Sequence, residues 1–114
     1  MRTCGVLAIL LIVLSAAPST ALASVPYWSI RKVLHRIDGK RIRVGTRTVR
    51  IDSDTALCSG RGPSIVREGL RRWRRFDCTY TTFTRAGVDR DVEFRVRVLG
   101  RLRYAISDAH WVGG

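Results

Sequence analysis

The sequence predicts an α+β fold: one N-terminal helix packed on an antiparallel sheet of four to five strands, closed by one disulfide. Three observations predict it. Ile30, Val33, Leu34 and Ile37 recur at the spacing of one helical face. Three later runs, 76–82, 92–98 and 102–106, alternate as half-buried strands do. Cys58 and Cys78 remain as an even pair once the N-terminal segment is set aside.

Residues 1–23 read as a secretory signal peptide. Arg2 is the positive start, residues 6–14 are continuously apolar, Pro18 breaks the run, and Ala21-Leu22-Ala23 supplies small residues before a cut at Ser24. The rival reading, an uncleaved anchor, meets an apolar run that is short for a bilayer. A lipoprotein would need a cysteine at the cut, and Cys4 lies inside the removed segment. Residues 24–114 then form a single secreted domain, too short for two. In an exported chain the pair Cys58 and Cys78 reads as one bridge, a useful supplement for a core this small.

Within the first element, Pro26 suits a first helical turn and Gly39 the position past the last one. The competing reading makes Asp38-Gly39 a hairpin turn, but the helical spacing fits better. In "KRIRVGTRTVRID", Ile42 and Val44 share one parity and Val49 and Ile51 the other, so a tight hairpin or a bulge lies in "GTRT". "DSDTALCSGRGPS" turns, delivers Cys58 and breaks into a Gly/Pro loop. Residues 64–73 suggest a short helix with Val66, Leu70 and Trp73 on one side, against which Gly69 counts.

The last third is a meander. Phe76, Cys78, Tyr80 and Thr82 point inward, as do Val92, Phe94, Val96 and Val98, and then Leu102, Tyr104 and Ile106. Pairing Val98 with Leu102 through a three-residue connection sets Arg97 opposite Arg103 on the outer face. Such like charges destabilise unless Asp77 or Glu93 offsets them.

"RRWRR" at 71–75 precedes the first of these strands. Strand parity would turn Arg72 and Arg74 inward and Trp73 outward, and an unpaired guanidinium cannot be buried. The regular strand is therefore expected only from Arg75, with Trp73 packed over the disulfide corner or the sheet edge. The functional reading is that interleaved arginine and aromatic residues suit single-stranded nucleic acid or a membrane interface.

The formal net charge is +12, almost all of it from arginine, since lysine appears only at Lys32 and Lys40. A GC-rich genome enriches arginine without any functional cause, yet the charge still favours anionic partners. The candidate anion-binding residues are Arg71, Arg72, Trp73, Arg74, Arg75, Arg95, Arg97 and Arg103. Catalytic sets are not evident. His35 and His110 lie far apart and outside metal-ligand spacing with cysteine or carboxylate. Asp108-x-His110, with Ser64 or Ser107 imagined nearby, is a pairing that arises often by chance. "GRG" lacks the frame of a phosphate loop, and "DSD" lacks the glycine and glutamate of a calcium loop. No cofactor is implied.

The order "CSGRG", "WRRFDCTYT" and "VEFRVRVLGRLRYAISDAHW" resembles a recurrent type of small exported protein of GC-rich actinobacteria. That type carries a signal peptide, a Cys-x-Gly-x-Gly element, a Trp-x-x-Phe-x-Cys-Thr element and a closing basic strand pair. Cys58, Gly60, Gly62, Trp73, Phe76, Cys78 and Thr79 match. The resemblance implies export and a Cys58–Cys78 pairing, and no activity.

The expectation is a secreted, non-catalytic basic module, extracellular or associated with the cell wall. It would bind an anionic polymer, a cell-envelope surface or an acidic protein. Nucleic acid is less favoured, peripheral membrane contact stays open, and so does the oligomeric state. The alternative is an inhibitor-like protein-interaction module using the loops "CSGRGPS" and "TRAGVD".

Overall fold

The structure, a computed structural model, describes residues 25–82 and 90–112. The expected signal peptide and the "TRAGVD" loop lie outside the described residues.

The fold is α+β. Helix α1 (Ile30–Ile37) is short, and the strands form two separate sheets rather than one. Ser29 caps α1, its hydroxyl accepting the Lys32 N–H at 3.2 Å. Pro26 lies ahead of this cap rather than in the first turn. The predicted stripe is the buried one: Val33 and Ile37 are fully enclosed, with Ile30 and Leu34 packed beside them. At the other end Gly39 donates to the Ile51 carbonyl at 2.8 Å, which carries the chain directly into the next element.

β1 (Arg41–Val44) and β2 (Arg47–Arg50) form a two-stranded antiparallel hairpin. Ile42 pairs with Val49, and Lys40 receives the Ile51 N–H at 2.8 Å. The parity switch in the sequence is thus the signature of a two-residue turn between Val44 and Arg47. Val44, Val49 and Ile51 join the helix in the core.

The main sheet has four strands in the order β3-β4-β5-β6, all antiparallel. They are β3 (Ala56–Arg67), β4 (Leu70–Thr82), β5 (Arg90–Val98) and β6 (Tyr104–Val112). The predicted meander is β4-β5-β6. Two expectations fail here. The expected Gly/Pro loop is the 12-residue strand β3, and the expected helix over 64–73 is a hairpin. Arg67 pairs with Leu70, so Glu68 and Gly69 form a two-residue turn, with φ of 54° and 75°. Positive φ at both central positions is the mirror-image turn whose twist suits a hairpin, and Gly69 takes it without penalty.

Cys58 and Cys78 face each other directly across β3 and β4 and are joined. Their side chains lie on the inner face with Phe76, Val92, Phe94, Val96 and Val98. Burying each such large apolar side chain contributes roughly 1.5–3 kcal/mol before the entropy cost is set against it.

The β5–β6 register also differs from expectation. Val98 pairs with Tyr104, and the connection is the five-residue Leu99–Arg103 segment. Leu99 and Gly100 both donate to the Arg103 carbonyl, at 2.9 and 3.1 Å, so Arg103 closes a loop instead of entering the strand. Leu102 is exposed. The shift is by two residues, so the buried face survives while the predicted Arg97–Arg103 contact disappears: Arg97 faces Ala105. Helix α1 holds this end, because Tyr104 donates to the Arg36 carbonyl at 3.0 Å and Arg36 to the Leu102 carbonyl at 3.1 Å.

Two bulges shape the sheet. Gly62 and Pro63 oppose the single residue Arg74, and Asp108 and Ala109 oppose Phe94. The second one, with Asp108 at φ 56°, reverses the alternation of β6: Tyr104 and Ile106 pack inward before it, Ala109 and Trp111 after it.

The turn between β2 and β3 is pinned by Asp38, whose carboxylate accepts the Ser53 N–H at 3.0 Å. That main-chain hydrogen bond, aided by the Ser53 hydroxyl and the charge of Arg50, holds the carboxyl below its ordinary range. A depressed folded pKa gives stability that is present above the unfolded value of about 4 and lost as pH falls through the lower folded value. Asp38→Ala should therefore lower the thermal midpoint at about pH 6, and the gap from wild type should close towards about pH 2. A gap constant with pH in melts followed by circular dichroism would contradict this.

Candidate anion-binding face

β4 runs unbroken through "RRWRR", contrary to the expectation that it starts near Arg75. Trp73, opposite the fully buried Trp28, is the residue that packs on the core, and the arginines on either side of it find partners of their own. Arg74 Nε donates to the Val25 carbonyl at 3.0 Å, and its guanidinium lies 4.1 Å from the centre of the Tyr27 ring. Arg72 reaches Glu68 at 3.8 Å, although its Nε has no hydrogen-bond partner. The strand is also paired on both sides. Where β5 ends, Trp28 takes over, and Trp28 and Trp73 exchange two main-chain hydrogen bonds of 2.8 Å. The Trp73 indole does not face solvent. It lies on Gly60 and meets the Phe76 ring edge-on, with centroids 6.2 Å apart. Arg71 is exposed near the hairpin end and donates to the Ser64 hydroxyl at 2.8 Å.

The outer face of the main sheet has an ordered charge pattern. The register sets Arg61 opposite Arg75 and Arg75 opposite Arg97, so three arginines form one row across β3, β4 and β5. All three are exposed. Directly opposed residues of an antiparallel pair share a face, and neighbouring strands lie about 4.8 Å apart, so the outer two are separated by roughly 10 Å. The next row is Ser59, Asp77, Arg95 and Ser107. Here charge is balanced: Arg95 contacts Asp77 at 3.5 Å and Asp108 at 3.4 Å, and Asp77 also meets Arg61 at 3.7 Å. Among the described residues, Arg75 and Arg97 have no carboxylate within ion-pairing distance.

Farther along lies the third row, Leu57, Thr79, Glu93 and His110. The second and third rows enclose an open hollow of about 580 Å³, lined by Asp77, Glu93, Arg95, Asp108 and His110 among others. His110 uses one ring nitrogen against the Asp108 main-chain carbonyl at 2.7 Å and the other against Glu93 at 3.5 Å. The Asp108 carboxylate goes to Arg95, so the Asp108–His110 side-chain pairing imagined from the sequence does not form. Among the described residues no group of three or more His, Cys, Asp or Glu is placed to hold a metal ion.

The structure thus brings together Arg75 and Arg97, engages Arg95 in ion pairs beside them, and places Arg71 at the far end of the β3–β4 hairpin and Arg103 in the loop between β5 and β6. Arg72, Trp73 and Arg74 are held by internal partners. Arg61 completes the row and was missed, because "GRG" read as loop. Its signal was the cysteine pair: opposing Cys58 to Cys78 across two antiparallel strands sets Arg61 against Arg75 with nothing else assumed. Comparison with protein-family models, with curated proteins and with solved structures finds no match.

Proposed function

We propose that the protein is an exported, non-catalytic basic module that attaches to an anionic component of the cell envelope through the basic end of its outer sheet face. One observation carries the reading: the row Arg61, Arg75 and Arg97, in which like charges are directly opposed on three adjacent strands. A cross-strand like-charge pair opposes folding by about 0.2–1 kcal/mol. An anion laid on the row removes that repulsion, and guanidinium is the best side-chain fork for phosphate and carboxylate oxygens. The net charge of +12, which becomes +11 when Arg2 leaves with the signal peptide, adds a long-range field that draws anionic partners towards the surface. The disulfide is compatible with an oxidising, extracellular location.

The inhibitor-like alternative loses one of its loops, since "CSGRGPS" lies wholly within β3. The other, "TRAGVD", is outside the described residues.

The test is retention on a phosphate-bearing matrix over a salt gradient. Arg75→Gln should elute at lower salt, with the slope of binding against log salt falling by about one unit. The same variant should unfold no more easily than wild type, and by up to about 1 kcal/mol less easily, because it relieves two like-charge contacts. Unchanged elution would remove the row from the reading. A stoichiometric partner retained at high salt would favour the protein-interaction module instead.

A further inference from the structure

We infer that the arginine row takes a single flexible chain of repeated oxyanions, of the polyphosphate or phosphodiester kind, laid across the strands rather than along them. This rests on the reading that the row is the anion contact, and adds the shape and the length of what it holds.

The direction follows from the charges around the row. Moving across the strands, each step meets another guanidinium: Arg61, whose one carboxylate contact is Asp77 at 3.7 Å, then Arg75 and Arg97. Moving along them, the next outward residue after Arg75 is Asp77, and the one after Arg97 is Arg95, already shared between Asp77 and Asp108. A chain running along β4 would bring its second anion onto a carboxylate. On the other side of Arg75 the bulge and the inward Trp73 interrupt the face. Only the transverse path is uniformly basic.

The length follows from where the row stops. Its β6 position is Ala105, and β3 is the last strand of the sheet, so the row is three cations wide. A lone phosphate can reach adjacent guanidinium groups but cannot span roughly 10 Å of sheet. Successive anionic groups on one chain can, each presenting oxygens to one fork. Rigid duplex nucleic acid presents its charges along two curved backbones and does not need a short straight row, so it serves as a contrast rather than the ligand.

The experiment is calorimetric titration of the folded protein with inorganic phosphate, pyrophosphate, tripolyphosphate and long-chain polyphosphate at one fixed salt concentration. Affinity should rise steeply up to three phosphate groups and much less per group beyond. Arg75→Gln should lower tripolyphosphate affinity about tenfold, the loss of one charge-assisted contact. Arg61→Gln and Arg97→Gln should also reduce it. The control is Arg41→Gln with Arg50→Gln, an opposed arginine pair on the β1–β2 hairpin, which removes more charge and should leave the length profile intact.

A poly(glycerol phosphate) arm and an oligoglutamate arm separate the sources. Binding of the former as tight as that of polyphosphate of equal charge supports an envelope phosphodiester. Preference for oligoglutamate overturns the phosphate assignment. Equal losses from the control pair and the row, or tighter binding of duplex DNA, would overturn the transverse site. If length dependence is absent while matrix retention still needs Arg75, only this inference fails. If retention ignores Arg75, the functional reading fails with it.

Discussion

Serine at both Cys58 and Cys78 is expected to lower the unfolding free energy by about 3 kcal/mol. The bridge closes a loop between residues 20 apart in sequence. In the chain-entropy view its loss frees the unfolded chain, whichever contacts persist in the folded one. Two further effects have the same sign. Cys78 is only 2 % exposed, so a hydroxyl there would sit among Phe76, Phe94 and Val96. β3 is an edge strand joined to the sheet through β4 alone, and the bridge lies towards its start. Urea unfolding followed by tryptophan fluorescence should show the midpoint fall, and adding reductant to wild type should reproduce it. A loss below about 1 kcal/mol would mean that the bridge constrains little that the sheet does not already hold.

The second large effect is expected at Gly60. A Cβ at this position would lie 2.0 Å from Cδ2 and Cε2 of the Trp73 indole, well inside contact distance. Gly60→Val must therefore push Trp73 off its seat or lift β3 away from β4. Overpacking costs about 1–3 kcal/mol, and an expelled indole adds the loss of its burial, so a total near 3 kcal/mol is expected. A double-mutant cycle identifies the cause. In a Trp73→Ala background the same valine should cost little, since the ring it strikes is gone. An equal cost in both backgrounds would show that the backbone of β3, not the ring, demands glycine.

This contact explains why the sequence was misread between 59 and 75. Gly60, Gly62 and Pro63 are ordinary loop markers, and here each serves a strand. Gly60 makes room for an indole from the neighbouring strand, and Gly62-Pro63 forms a bulge, where proline's missing N–H is tolerated. None of that is visible in the local sequence, because the ring that needs Gly60 lies thirteen positions away. The burial objection to Arg72 and Arg74 was sound in principle. It failed because Trp73, opposite the buried Trp28, takes the core side, while Arg74 reaches Val25 and Tyr27, and Arg72 reaches Glu68 with its Nε left without a hydrogen-bond partner.

What could be read was whatever depends on period alone. The stripe of α1, a tight hairpin or bulge at the parity change around Gly45, which the structure resolves as the hairpin, and the inward faces of β4 and β5 all follow from local alternation. Register was out of reach wherever loop length sets it. A three-residue connection after Val98 was as consistent with alternation as the five-residue one observed, since both keep the same face buried. The difference decided the site: with the shorter loop Arg97 meets Arg103, and with the longer one it meets Ala105 and is left beside Arg75. The candidate face was thus half legible. Arg75 and Arg97 were named, while their being neighbours, and Arg61 as the third member, depended on pairing.

The bulge at Asp108 also makes the end of the chain a matter of counting. β6 consists of two stretches out of phase by one residue, and the extra position absorbs the difference. Were β6 to pair straight on from Ser107 without the bulge, Ala109 would come opposite Glu93 and His110 opposite Val92. His110 would then point into the core, and Trp111, which lies 4.4 Å from the Arg90 guanidinium and 5.7 Å from that of Arg47, would swing to the open side. One inserted residue therefore decides which aromatic ring of the last strand the protein keeps and which it displays.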